Sequence, residues 1–124
     1  MKNKQSETKN MTKLIDKVET HFESVLANGL QGPVEVPEWD EKIWWRPSST
    51  MAEESRVIEL SQAGKTTEAL VVTLIQKAMD KEGKPLFSMS DKIKLMRVAD
   101  PKVILRVITE MNEKQTEFDE AVKN

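Results

Sequence analysis

The sequence predicts a small, mostly α-helical domain of four to five helices, with a short N-terminal two-stranded β-hairpin packed on it. Three observations lead to this fold class. Apolar residues recur at helical spacing in several segments, Gly and Pro separate those segments, and one stretch, PVEVPEWDEKIWWRP, alternates instead. The chain has 124 residues, enough for one domain with a modest core. We divide it into a disordered tail (1–11), an amphipathic helix (12–29) and a single domain (34–122).

The N-terminal third combines a polar tail with one amphipathic helix. The tail, MKNKQSETKNM, has no hydrophobic segment of the kind found in signal peptides. The stripe of the following helix is narrow, so this helix is expected to lie on the surface of the core or to dock onto another molecule. The stripe consists of Leu14, Ile15, Val18, Phe22, Val25 and Leu26.

The predicted hairpin covers residues 34–46 and holds all three tryptophans of the chain. Pro37 ends the first strand, because proline cannot donate to a strand ladder. Alternation places four apolar residues on the face that rests on the helices, and leaves Trp44 on the other. Trp44 is then either covered by the N-terminal helix or by Trp39, or exposed as an aromatic anchor for a partner. The helix-facing set is Val34, Val36, Ile43 and Trp45.

Helical periodicity resumes after Pro47. Thr50 and Glu53 form a T-x-x-E capping box, and the helix that it opens is expected to turn Met51, Val57 and Ile58 inward. The next helix is apolar nearly all round, which is typical of a buried central helix. The four helices of the domain are expected at about 50–63, 67–81, 90–98 and 101–122.

The last helix begins at Asp100-Pro101, which supplies a capping side chain and a proline in the first turn. Its apolar stripe thins after Asn112, leaving mainly Phe118 and Val122. We therefore expect the end of this helix to be exposed to solvent or bound to a partner. The stripe expected in the core is Val103, Ile104, Val107, Ile108 and Met111.

Composition argues against several classes of function. The net charge is −2, the pI is about 5.5, and lysines lie close to carboxylates almost everywhere. Nucleic-acid-binding proteins usually carry a basic excess or stripe, so no nucleic-acid partner is expected. No apolar run approaches the roughly 20 residues that a membrane helix needs. The absence of cysteine excludes disulfides and thiolate chemistry.

Three features of the sequence could suggest a ligand or metal site, but none meets the requirements of such a site. Gly64-Lys65-Thr66 resembles the end of a phosphate-binding loop, but Glu59 stands where that loop needs glycine. A calcium loop around KEGKP would need acidic residues at Ala78 and Met89. His21 is the only histidine, so a transition-metal site would depend on carboxylates. We expect no catalytic, cofactor-binding or metal-binding residues, and no enzymatic activity.

Several segments occur in an order that resembles a known family. They are VPEW, KIWWRP, TMAEESRVIELSQAGK, AMDKEGKPLF and DPKV, spread over about residues 34–111. In this order they resemble tail assembly chaperones of long-tailed, siphovirus-like bacteriophages. The resemblance implies a helical, non-enzymatic protein of the host cell cytoplasm that is absent from the mature virion. It also implies a chaperone that coats the tape measure protein, keeps it soluble and helps recruit tail tube subunits.

A chaperone for a long helical client needs exposed apolar surface rather than an enclosed pocket. The expected partner is the tape measure protein, with the tail tube protein and a second copy of this chain as further candidates. A structural minor tail or connector protein of the virion would share this composition. A small regulatory protein that binds nucleic acid is a third alternative, and the charge balance argues against it. The candidate partner-binding residues are Phe22, Trp39, Trp44, Trp45 and Phe118.

Overall fold

A computed structural model describes residues 13–123, with side chains described to residue 121. The tail expected at residues 1–11 lies outside this range. Within it the chain forms five α-helices and one two-stranded antiparallel sheet, which confirms the predicted fold class. The elements are α1 (Leu14–Leu26), β1 (Gln31–Val36), β2 (Glu41–Trp45), α2 (Met51–Gln62), α3 (Thr66–Lys77), α4 (Lys92–Val98) and α5 (Pro101–Lys123).

The hairpin places its apolar face on the helices, as its alternation predicts. Val34 pairs with Ile43 across the two strands, and these side chains, with Val36 and Trp45, are almost completely buried. A 3-10 turn at Pro37–Trp39 connects the strands. The hairpin packs mainly on α5, so the sheet and the last helix bury each other's apolar faces.

A third extended segment lies along the free edge of β2. The Trp44 N–H donates to the Met79 carbonyl (2.9 Å), and the Met79 N–H donates back to the Trp44 carbonyl (2.8 Å). This pairing requires extended backbone, so α3 ends at Lys77, before the end expected at residue 81. The Asp80 carboxylate then accepts from the N–H of Lys84 (2.9 Å) and holds the following turn.

Helix α3 is the centre of the core, as its apolar sequence predicts. It packs against α2, α4 and α5. The stripe of α5 closes the core from the other side. The buried residues of the two helices are Ala69, Val71, Val72, Leu74 and Ile75 on α3 and Val103, Ile104, Val107, Ile108 and Met111 on α5.

Helix α2 presents a different face from the one expected. The capping box of Thr50 and Glu53 is present, but Met51 is 77% exposed and Ile58 47% exposed, so their predicted inward placement is wrong. Val57, the third residue of the expected set, is half-buried, on the side of α2 where the Glu53 carbonyl accepts from the Gln76 side chain of α3 (3.4 Å). Helical geometry places Met51 and Ile58 on the opposite side.

Helix α1 buries none of its residues. Its apolar stripe is mostly in solvent: Leu14 is 75% exposed, Ile15 66% and Val18 57%. Gly29, in the left-handed region at φ 89°, ends the turn that follows the helix. The second half of the stripe, Phe22, Val25 and Leu26, is half-buried, so the apolar side chains that lie in solvent are those of the first half of the helix.

Candidate protein-binding surface

Two tight turns position the short helix α4 across the core. Ahead of it, the Ser88 N–H donates to the Asp91 carboxylate (2.9 Å), which fixes the 3-10 turn at Met89–Asp91. Behind it, Asp100 caps α5 by accepting from the Lys102 N–H (3.0 Å). Helix α4 is therefore held at both ends, and contacts α3 on one side.

Helix α4 exposes most of its apolar side chains. Ile93 is 71% exposed and Val98 65%, while Leu95 is half-buried against the core. A seven-residue helix with apolar residues on all sides can bury only one of those sides. Met96 and, on the first turns of α5, Leu105 extend the exposed apolar surface, with exposures of 41% and 48%.

Two apolar grooves run along either side of α4 and share Leu95 and Ala99 as their floor. The larger, about 340 Å³, lies toward the hairpin and is lined by Trp39, Ile43, Leu86, Phe87 and Val98, with the carboxylate-bearing Glu41 on its hairpin side. The smaller, about 190 Å³, lies toward α5 and is lined by Leu70, Met96, Pro101, Ile104 and Leu105. We call the two grooves together with Ile93, Met96, Val98 and Leu105 the α4 face.

The α4 face lies in the most basic part of an acidic chain. Residues 91–106 contain five cationic residues and two carboxylates, a net charge of +3, whereas the whole chain carries −2. Within residues 13–123, Lys94, Arg97 and Lys102 form no salt bridge. The rim of the face therefore offers positive charge beside exposed apolar surface, a combination that suits an amphipathic helix with acidic flanks.

Two other cations of this segment are paired. Lys92 forms a salt bridge with Glu68, and this hydrogen bond holds the pKa of the Glu68 carboxyl below its usual value. Arg106 forms a bidentate pair with Glu38, with N–O distances of 2.5 and 3.0 Å, and also contacts Glu110 at 3.3 Å. The hydrogen bond from Arg106 lowers the pKa of Glu38 to about 2. These pairs tie α4 to α3, and α5 to the hairpin.

The three tryptophans do not form one cluster. Trp39 stands at the edge of the α4 face, with its ring edge-on to Phe87 at a centroid distance of 6.2 Å. Trp45 is 1% exposed, and its indole N–H donates to the Gln115 side chain (3.0 Å). Trp44 is half-buried and lines a polar cleft on the outer side of the hairpin, with Glu35 and Lys81 among its neighbours.

The two phenylalanine candidates lie outside the α4 face. Phe22 is half-buried on α1, and Phe118 is half-buried near the end of α5. Of the five residues selected from the sequence, only Trp39 belongs to the α4 face. Trp45 could meet a partner only if the core opened.

Sequence reasoning missed the residues that dominate this surface, namely Ile93, Met96, Val98 and Leu105. They fall within the helices predicted at 90–98 and 101–122, and no role in binding was predicted for them. A usable signal was present: KIKLMRV places four apolar residues and three cations in seven positions, more apolar surface than a helix of two turns can bury.

Among residues 13–123, no group of three or more His, Asp or Glu side chains is placed to hold a metal ion. None of the described helices combines the length and apolar character needed to cross a membrane.

Comparison with known proteins bears on the fold. No protein-family model matches the chain, and a search of curated proteins finds no significant match. Among solved structures, the chain is similar to one described as the structure of bacteriophage HK97 tail assembly chaperone. The two share 24% sequence identity with a TM-score of 0.57, over 69% of this chain and 82% of that chain. The resemblance seen in the sequence is therefore confirmed at the level of the fold.

Proposed function

We propose that this chain, whose fold resembles that of a phage tail assembly chaperone, binds the tape measure protein and keeps it soluble during tail assembly. The observation that carries the proposal is the α4 face, an exposed apolar surface with a basic rim. In this account the bound chaperone also helps recruit tail tube subunits around the tape measure protein. It acts in the host cell cytoplasm, is absent from the mature virion and catalyses no reaction.

The shape and chemistry of the α4 face suit a helical client. A long helical protein presents apolar residues three and four positions apart, and such a stripe can lie over Ile93 with side chains entering the grooves on either side. Trp39 supplies an aromatic wall to the larger groove. Aromatic residues are enriched among those that contribute most to binding. Lys94 and Arg97 would favour client segments with acidic flanks.

Co-expression with the tape measure protein from the same genome tests the proposal. The tape measure protein should become soluble and co-purify with the wild-type chain. Ile93→Asp should weaken capture at least about tenfold, because it places a carboxylate in an apolar contact. Met51→Asp is the matched control, since Met51 is 77% exposed on α2, outside the α4 face.

A tape measure protein that stays insoluble beside well-folded wild-type chain would contradict the proposal. Equal capture by Ile93→Asp and Met51→Asp would contradict the assignment to the α4 face. Mass spectrometry of purified particles separates this function from the alternative of a structural minor tail or connector protein. The chaperone should be missing from particles, whereas a structural component should be present at constant stoichiometry.

A further inference from the structure

The larger groove of the α4 face has opposite charges on its two walls. Glu41 lies on the hairpin wall, at the start of β2, and is exposed. Lys94 belongs to the α4 wall, because it lies four residues before Val98, which lines the groove, and residues four apart share one side of a helix. The apolar floor at Leu95 and Ala99 lies between the two walls.

Both charges are available to a partner. In the part of the chain that the structure describes, neither Glu41 nor Lys94 forms a salt bridge. The Glu41 carboxylate accepts a hydrogen bond from the N–H of Lys42 (3.3 Å), and its two oxygens can accept further bonds. Glu38, three residues earlier, is instead paired with Arg106. The hairpin therefore uses one carboxylate to hold its own fold and leaves the other beside the groove.

Glu41 is also the one charged residue among those that line this groove within residues 13–123. An apolar partner that covered the groove would take the carboxylate out of water without pairing it, which costs free energy. A basic residue on the partner would remove that cost. On the other side, Arg97 lies four residues after the exposed Ile93, so it adds positive charge to the solvent side of α4.

We propose that the larger groove selects client helices that carry acidic residues along one flank of their apolar stripe and basic residues along the other. The acidic flank meets Lys94 and Arg97, and the basic flank meets Glu41. This inference rests on the proposed function and adds a rule for which client segments are bound. A helix with two acidic flanks would bring carboxylates against Glu41, and a helix with two basic flanks would bring cations against Lys94.

Three synthetic peptides test the rule. Each is an alanine-rich helix of about 18 residues with the same leucine stripe, and is used where sedimentation shows it to be monomeric. The first has glutamates on one flank and lysines on the other, the second only glutamates and the third only lysines. Fluorescence anisotropy at low salt should show that the wild-type chain binds the mixed peptide about fivefold more tightly than either uniform peptide.

Reversing the charge of one wall should change the preferred peptide. Glu41→Lys makes both walls basic, so the all-glutamate peptide should become the tightest ligand by about fivefold. Lys94→Glu combined with Arg97→Glu makes both walls acidic and should favour the all-lysine peptide. These differences should shrink at about 0.5 M NaCl, because salt screens exposed charges.

Matched controls lie on the outer side of the hairpin. Glu35→Lys and Lys81→Glu make the same charge reversals in the polar cleft beside Trp44, and both variants should keep the wild-type order of affinities. Far-UV circular dichroism should show that every variant folds. An unchanged order of affinities in Glu41→Lys would overturn the proposal, as would a wild-type chain that binds all three peptides equally or binds none.

These measurements use no tape measure protein, so the two proposals can fail separately. Capture of the tape measure protein by a chain that shows no preference among the peptides would remove the charge rule and leave the proposed chaperone function standing. Failed capture beside a clear switch of peptide preference in Glu41→Lys would remove the chaperone function and leave a groove that selects helices by their charge.

Discussion

Helices α1 and α5 carry apolar stripes of the same helical period but differ in what covers them. On α5, Val107 and Met111 are almost completely buried against the hairpin and α3. On α1, the stripe around Val18 buries no residue. A period of 3.6 residues identifies which side of a helix needs a partner, but not whether the same chain supplies one. In this protein the exposed first half of the α1 stripe and the α4 face are the features that point to binding.

The largest effect should come from a substitution in the buried core, at Trp45. Trp45→Ala removes a fully buried indole and its hydrogen bond to Gln115. The free energy of unfolding should fall by about 3–5 kcal/mol, measured by urea denaturation. Trp39→Ala, at the half-exposed edge of the α4 face, should cost less than about 2 kcal/mol. A loss below about 2 kcal/mol for Trp45→Ala, no larger than that for Trp39→Ala, would show that the core does not depend on Trp45.

A matched pair of valine substitutions compares the two helices directly. Val107→Ala deletes two methyl groups from a position with 0% exposure and should lower the free energy of unfolding by about 2 kcal/mol. Val18→Ala makes the same change at 57% exposure and should alter the free energy of unfolding by less than about 0.5 kcal/mol. A destabilisation by Val18→Ala as large as that by Val107→Ala would mean that α1 packs on its own chain.

The smallest effect concerns the ion pair between Glu38 and Arg106. The folded pKa of Glu38, about 2, lies below its ordinary value of 4.5, so its stabilising contribution is complete above pH 4.5 and is lost as the pH falls toward 2. Glu38→Gln should lower Tm by no more than about 3 °C at pH 7, because both partners are exposed. Thermal unfolding from pH 2 to 7 should show this difference shrinking at low pH. A difference that persists at pH 2 would assign it to packing rather than to charge.

Much of the fold follows from local sequence patterns. The alternation around Val34 and Ile43 predicts the buried face of the hairpin, and the capping residues at Thr50 and Asp100 predict where helices begin. Long-range pairing is harder to predict. The segment at Met79 has the composition of a helix end, yet it pairs with the backbone of Trp44. The inward face of α2 was misjudged because its few apolar residues do not form one clear stripe.

The candidate surface was harder to predict than the fold. Tryptophan content directs attention to the hairpin, but Trp45 fills the core and Trp44 lies beside a polar cleft. The exposed aliphatic residues of α4 look like ordinary core residues in sequence, because burial depends on where a short helix lies relative to its neighbours. Leu95 packs against the core, and the other apolar side chains of this short helix are left exposed.

Hydrogen–deuterium exchange with and without the tape measure protein tests the central claim most directly. We expect slower exchange over residues 89–105 in the complex and unchanged exchange over residues 51–62 of α2. A stable complex in which residues 89–105 exchange as fast as in the free chain would contradict the assignment of client binding to the α4 face.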